Sequence, residues 1–418
     1  MSIDSPRRVE APTVPRPAPK VFFPALDGLR AIAAIVVVIY HTSNTVAYFA
    51  EPLNRSATDT RGVWAGANIL GRFGNWGVSI FFVLSGFLLY RPFVASWLGG
   101  RSVGSLTTYI ARRLTRIVPA YWVVLTYYEF VVRATAPKGA PGIYLLFYFF
   151  AQNYKNGYVD LGGGMAVAWT LCIEMSFYLA LPLLAYGLRK ISPPKLTLQQ
   201  RVRVQLGALA ALTLGSVAMR YWVIAAHPLQ SFWLPAYFAW FGLGMMAAVW
   251  HSGHHLGLPL PTLVRLMGRY PELCWLFAIQ SFWLTSLIKY ASWVQTRPEY
   301  MAIYIGNGIS AALFLYPLVF GDQNRTVLRR VLQRQPMKWL GEISYGIYLW
   351  HTIWLVIIYE WVQKGTWPGG FWPTFFLVSV MTLPISWLSL TLIERPLMKL
   401  VQKATSPRRA PVAGGSAG

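Results

Sequence analysis

The sequence predicts an all-α protein: a polytopic transmembrane helical bundle of about ten spans, with both termini cytoplasmic. Three observations lead there. The 418 residues are 55% hydrophobic and only 12% charged, against about 25% charged in soluble domains. The apolar residues gather into runs of about 20, the length at which a helix crosses the hydrocarbon core. The positive charges fall in alternate gaps between those runs, where they orient spans.

The runs lie at about 27–47, 76–97, 117–134, 166–187, 204–225, 231–250, 272–291, 301–320, 340–361 and 371–392. The stretch GIYLLFYFFA at 142–151 is apolar but short, and is expected as a re-entrant or interfacial piece. With the N-terminus inside, the inner segments carry Arg7, Arg8, Arg16 and Lys20, then Arg101 and the RRLTR arginines, then Arg189, Lys190, Lys195, Arg201 and Arg203. Arg265 and Arg269 follow, then Arg325, Arg329, Arg330, Arg334 and Lys338, and last Lys399, Lys403, Arg408 and Arg409. The outer loops are sparse or mixed, with Glu51 near Arg55 and Asp59 near Arg61. This pattern accounts for the net charge of +23 through topology and anionic lipid. Nucleic-acid binding is not expected.

Residues 1–23 and 399–418 are polar, basic and rich in Pro or small residues, and are read as disordered cytoplasmic tails around a transmembrane domain at 24–398. Two cysteines, Cys172 and Cys274, exclude a disulfide scaffold and a multi-cysteine metal site. HSGHH at 251–255 has no carboxylate or cysteine nearby to complete a metal site, so no metal is expected.

Several spans carry polar groups inward. In LDGLRAIAAIVVVIYH, Arg30 and His41 stand eleven residues apart, on the order of 16 Å along a helix. Ionisable groups at that depth are costly and by default functional. Glu174 enters from the other side and reaches roughly the depth of His41. The shared depth predicts a His41–Glu174 pair, in which the carboxylate fixes the imidazole tautomer and the other nitrogen takes a proton from a hydroxyl. A purely structural interhelical hydrogen bond is the alternative. Ser85, Ser344, Tyr345 and His351 also approach the midplane. At the cytoplasmic mouth, Arg112, Arg113 and Arg116 cluster, with Arg112 and Arg116 one turn apart, and Arg30 and Arg91 reach the same level. Five guanidinium groups suit phosphate or pyrophosphate. Any one alone suits topology and lipid headgroups. Glu129 and Arg220 are expected to snorkel to the outer interface. Asp27 is read as a helix-start cap or a catalytic group.

These fragments together resemble the membrane-bound acyltransferase 3 family of bacterial O-acyltransferases. FPALDGLRAIAAIVVVIYH carries Arg30 and His41, FFVLSGFLLYRPF carries Ser85–Phe87 and Arg91, and YIARRLTRIVPAYW ends its paired-arginine element at Arg116 and Pro119. WTLCIEMSFYLALP carries Trp169, Glu174 and Tyr178, and GEISYGIYLWH and IERP close the domain. The resemblance covers about residues 23–398; Thr170 stands where Ser is more familiar and keeps a hydroxyl. It implies transfer of an acyl group, often acetyl, from acyl-CoA to a hydroxyl of a glycan, glycolipid or small metabolite, at the bacterial cytoplasmic membrane. The chain looks like the stand-alone type, without an extracytoplasmic hydrolase-like domain; a protein partner for acyl relay is left open.

The expected mechanism has acyl-CoA docking from the cytosol as cosubstrate, with no bound cofactor. Its phosphates rest on Arg112, Arg113 and Arg116, with Arg30 or Arg91. His41 is the general base, oriented by Glu174, with Arg30 a third catalytic candidate; Ser85, Thr170 or Tyr345 is the candidate oxyanion donor, and His351 a further candidate for contacting the substrate. Direct transfer and an acyl-His41 intermediate both fit. The alternative is a proton-coupled flippase or transporter for a lipid-linked sugar, with His41 and Glu174 as its relay. Outer loops 48–74 and 135–165 are expected to select the acceptor.

Overall fold

A computed structural model describes residues 23–50, 76–100, 104–132, 142–155, 165, 167–226, 228–291, 296–322, 326–367 and 370–405. Among them there is helix and turn but no strand. The long helices are α1 (Pro24–Ala50), α2 (Trp76–Leu98), α3 (Leu106–Tyr127), a short α4 (Gly142–Tyr148), α5 (Ala168–Ile191), α6 (Leu198–Ala226) and α7 (Leu234–His255). Then come α8 (Thr262–Arg269), α9 (Pro271–Ala291), α10 (Arg297–Phe320), α11 (Val327–Leu332), α12 (Gln335–Glu342), α13 (Ser344–Gln363), α14 (Phe371–Ser389) and α15 (Arg395–Thr405). The protein is a multi-pass membrane helical bundle.

Seven segments among the described residues are long and apolar enough to cross a membrane: α1, α2, α5, α6, α7 with the turn before it, α10, and α14 with its extension to Thr405. The other three predicted runs fall in α3, α9 and α13, which have 22, 21 and 20 residues. Their length suffices for a span at 1.5 Å per residue. Their apolarity is diluted by the RRLTR arginines in α3, by Glu272 and Gln280 in α9, and by His351 and Glu360 in α13.

Helix ends follow local chemistry. The Ser105 hydroxyl accepts the Thr108 amide at the start of α3, and Thr296 with Glu299 forms a capping box at α10. The 142–151 stretch does not make a span: α4 stops at Tyr148, Phe150 takes a left-handed φ of 56°, and the chain turns back. The C-terminal boundary is also displaced. Residues 399–405, expected in a disordered tail, continue α15, whose Leu400 faces outward between Lys399 and Lys403. The rest of both expected tails, 1–22 and 406–418, lies outside the described residues, as does most of the two outer loops.

The most extensive helix pair is α2 with α7. Two glycines make it possible. A Cβ on Gly86 would strike the carbonyl oxygen of Phe241, and one on Gly244 would strike that of Val83. Backbone thus touches backbone, as small residues permit when helices have no hydrophobic drive to associate in lipid. α1 lies at the centre, packed against α2, α10, α12, α13 and α14.

Candidate active site

α1, α2, α3, α5 and α13 enclose a cavity of about 820 Å³ of atom-free space, its opening included. Its polar wall is Arg30, Arg113, Arg116, Ser85, Glu174 and Tyr178, with Thr170, Ser344, Tyr345 and Tyr348 further round; Val78, Phe81, Phe82 and Leu88 supply apolar wall. Three guanidinium groups against one lining carboxylate make the cavity a cationic receptor for an anion. Arg30 is held by Asp27, Nη1 to Oδ1 at 2.7 Å, one turn earlier on α1. That turn is fixed in place because Gly341 of α12 lets the Asp27 carbonyl approach its Cα.

The Glu174 carboxylate accepts hydrogen bonds through Oε1 from the Ser85 hydroxyl at 2.8 Å and from the Tyr178 hydroxyl. These are its hydrogen bonds, and His41 is not among them. The expected His41–Glu174 pair is therefore replaced. The equal depth expected from residue counts did not make a pair: Glu174 lines the arginine cavity and turns toward α2 and its own next turn, whereas His41 turns toward α13.

His41 Nδ1 lies 2.9 Å from His351 Nε2, with ring centroids 5.0 Å apart. His351 is fully buried, and its Nδ1 lies 2.9 Å from the Ile347 carbonyl one turn back on α13. A carbonyl can only accept, so a neutral His351 carries its proton on Nδ1 and offers a lone pair at Nε2. His41 must then donate from Nδ1, which makes His41 Nε2 the basic nitrogen. Tyr348 connects this pair to the cavity: it lines the wall, bonds to Thr170, and its ring centroid is 6.0 Å from that of His351.

The structure brings together Arg30, Arg113 and Arg116, but not Arg112 or Arg91. The buried stripe of α3 runs through Ile117, Ala120, Tyr121 and Val124. Arg113 and Arg116 flank it, whereas Arg112 is rotated away and exposed. Arg91 stacks its guanidinium over Phe23, 4.9 Å from the centroid. The three oxyanion candidates are already engaged: Ser85 donates to Glu174, Tyr345 donates to the Ile117 carbonyl at 2.8 Å, and Thr170 bonds to Val167 and Tyr348. Tyr178 and Tyr348 were not singled out as site residues. Their signal is spacing: Tyr178 is one turn after Glu174, and Tyr348 one turn before His351.

The expectations for Arg220 and Glu129 also change. Arg220 does not snorkel; its guanidinium lies over the rings of Tyr237 and Tyr304 and donates to the Ser231 carbonyl. Glu129 is 5% exposed. At the C-terminal end of α7, His255 Nε2 lies 3.2 Å from His251 Nε2. Among the described residues, no three His, Cys, Asp or Glu side chains converge as a metal site would need.

A family model described as "Acyltransferase domain" (acyltransferase 3) matches residues 23–391, most of the chain. The chain belongs to the acyltransferase 3 family. Within that family it is 27% identical over 403 residues to nodulation protein 10 of Rhizobium leguminosarum bv. viciae, covering 90% of this chain and 93% of the relative. It is 26% identical over 399 residues to the peptidoglycan O-acetyltransferase OatA of Listeria monocytogenes. It is 23% identical over 399 residues to the O-acetyltransferase OatA of Staphylococcus aureus. Those alignments cover 90% and 92% of this acyltransferase 3 chain, but only 56% and 58% of the relatives, so the chain spans little more than half their length. No solved structure matches the chain significantly.

Proposed function

We propose that the protein is an integral-membrane O-acyltransferase that moves a short acyl group from cytosolic acyl-CoA to a hydroxyl of a cell-envelope glycan, glycolipid or metabolite. The observation that carries the reading is the His41–His351 pair beside an arginine-lined cavity: a positioned base next to an anion receptor. The relatives named as peptidoglycan and other O-acetyltransferases support the same class.

Acyl-CoA enters from the cytoplasmic side, and its phosphates engage Arg30, Arg113 and Arg116. Arg112 and Arg91 contribute to the potential at the mouth. The acceptor O–H gives its proton to His41 Nε2 as its oxygen attacks the thioester carbonyl. When the tetrahedral intermediate collapses, the C–S bond breaks and His41 Nε2–H returns the proton to the leaving thiolate. The proton balance closes without an external donor. His351, rather than Glu174, acts as the positioning residue for His41. Glu174 holds Ser85 and Tyr178 on the cavity wall.

The test is thiol release from acetyl-CoA by the detergent-solubilised protein. Release that disappears in His41→Ala, while Arg116→Ala chiefly raises the KM for acetyl-CoA, supports the reading. A proton-coupled flippase for a lipid-linked sugar consumes no acyl donor, so absence of acetyl-CoA binding and of thiol release would replace acyl transfer with that alternative.

A further inference from the structure

Two opposite faces of α9 are both apolar, but only one of them meets the rest of the chain. Trp275, Ala278 and Phe282 are buried. The Phe282 ring lies 6.1 Å from that of Phe314 on α10, and the Ser281 hydroxyl donates to the Gly306 carbonyl at 3.4 Å. The other face exposes Leu273, Phe277, Gln280, Leu284 and Leu287. Their successive intervals are four, three, four and three residues. That is the period at which two helices wind around each other along one continuous seam. The four apolar members alone would suit lipid. Gln280 does not.

The level of Gln280 in the bilayer follows from both helices. It is the tenth of the 21 residues of α9, about 15 Å from the start of the helix. Ser281, next to it, bonds to Gly306, the tenth of the 24 residues of α10, which is long and apolar enough to be a span. Gln280 therefore sits near the midplane, too deep for a short side chain to reach water at either surface. Among the described residues no hydrogen bond reaches its amide. Hydrocarbon offers none either, and an unpaired amide at that depth is costly. The chemistry of the group selects its partner. A primary amide carries both donor and acceptor, so it complements a second copy of itself. Copies of one chain share a single orientation in the bilayer, so a two-fold axis between them runs along the membrane normal and their α9 helices are parallel. Residues on that axis face their own counterparts. Gln280 then meets Gln280 of the second copy at one depth, in two reciprocal N–H···O=C bonds, with the apolar positions matched above and below.

We infer that the protein is a two-fold dimer in the membrane, with the exposed α9 seam as its interface and Gln280 at the centre. One polar residue in an apolar seam fixes its register, and side-chain hydrogen bonds between helices support their association in lipid. The inference does not depend on the acyl-transfer reading. Its test is the monomer–dimer equilibrium of the full chain in phosphatidylcholine vesicles, read by single-molecule photobleaching over a range of protein-to-lipid ratios. Wild type is expected to dimerise, and Gln280→Leu to need a ratio about tenfold higher. Gln280→Asn, which keeps an amide, loses less. Oxidative cross-linking supplies a second measurement. Gln280→Cys is expected to give a disulfide-linked dimer. Ile279→Cys, exposed but turned about 100° round the helix, and wild type, whose Cys172 and Cys274 are buried, are expected to give none. Wild type that stays monomeric at every ratio overturns the interface. So does a dimer that Gln280→Leu leaves unchanged, or one that Ile279→Cys cross-links as well as Gln280→Cys does.

Discussion

Among the described residues there are two histidine–histidine contacts, and they differ in the one respect that matters for proton transfer. His41 and His351 come from different helices and meet Nδ1 to Nε2, with the far nitrogen of His351 on a backbone carbonyl. His251 and His255 are one turn apart on α7 and meet Nε2 to Nε2. The His254 ring between them in sequence bonds to the Leu258 carbonyl through Nδ1; among the described residues, neither Nδ1 of the pair itself has a carbonyl partner. The first pair has a direction: a carbonyl specifies one tautomer, which specifies the next. The second has none, because either ring can donate. His251 is packed among Phe23, Phe87 and Phe320, whereas His255 is exposed. A histidine pair becomes a base only where something fixes which nitrogen holds the proton.

Substitutions at four residues sharpen that contrast, in descending order of effect. His41→Ala removes the base and is expected to lower kcat for thiol release by about 10²- to 10⁴-fold, the usual worth of general base catalysis. His351→Leu leaves the base but frees its ring, and is expected to cost on the order of 100-fold in kcat. His351→Gln, whose amide oxygen can accept from His41 Nδ1, should recover much of that loss; equal losses in the two variants would reduce His351 to packing. Arg116→Ala should raise the KM for acetyl-CoA by about tenfold or more with a smaller change in kcat, as loss of a charge-assisted hydrogen bond would. His255→Ala is expected to leave both constants within about twofold, as an exposed surface change does. A large effect there would give the second pair a role that its geometry does not provide.

A fifth prediction concerns the frame. Gly244→Ala puts a methyl onto the Val83 carbonyl and should destabilise the fold by about 1–3 kcal/mol. Thermal unfolding of the purified protein in detergent checks it.

The fold class was legible because lipid makes composition decisive: apolar runs of span length, separated by alternating positive charge, are what a helical bundle in a bilayer requires. The span count was less so. α3, α9 and α13 trade apolarity for polar residues in their interiors, and hydropathy alone does not separate such a helix from one lying elsewhere. At the site, residue spacing along each helix was readable, but azimuth was not. Counting residues put Glu174 and His41 at one depth, yet which helix each one faces depends on packing angles that one-dimensional spacing does not contain. The same limit hid the separation of Arg112 from Arg113 and Arg116. It also hid the burial of Glu129, which lies in a π turn, Tyr128–Val132, beside an exposed Phe130.

The contact between α2 and α7 has a consequence for how reactants reach one another. Ser85 stands next to Gly86, so the seam where the two backbones touch runs directly behind the cavity wall. Helices that slide or rock past each other do so on a layer of side chains, and at this seam that layer is absent. An alternating-access cycle hinged here would have to pull two main chains apart. A fixed partition makes a different kind of machine: one centre held still to which reactants come, as the proposed acyl transfer requires.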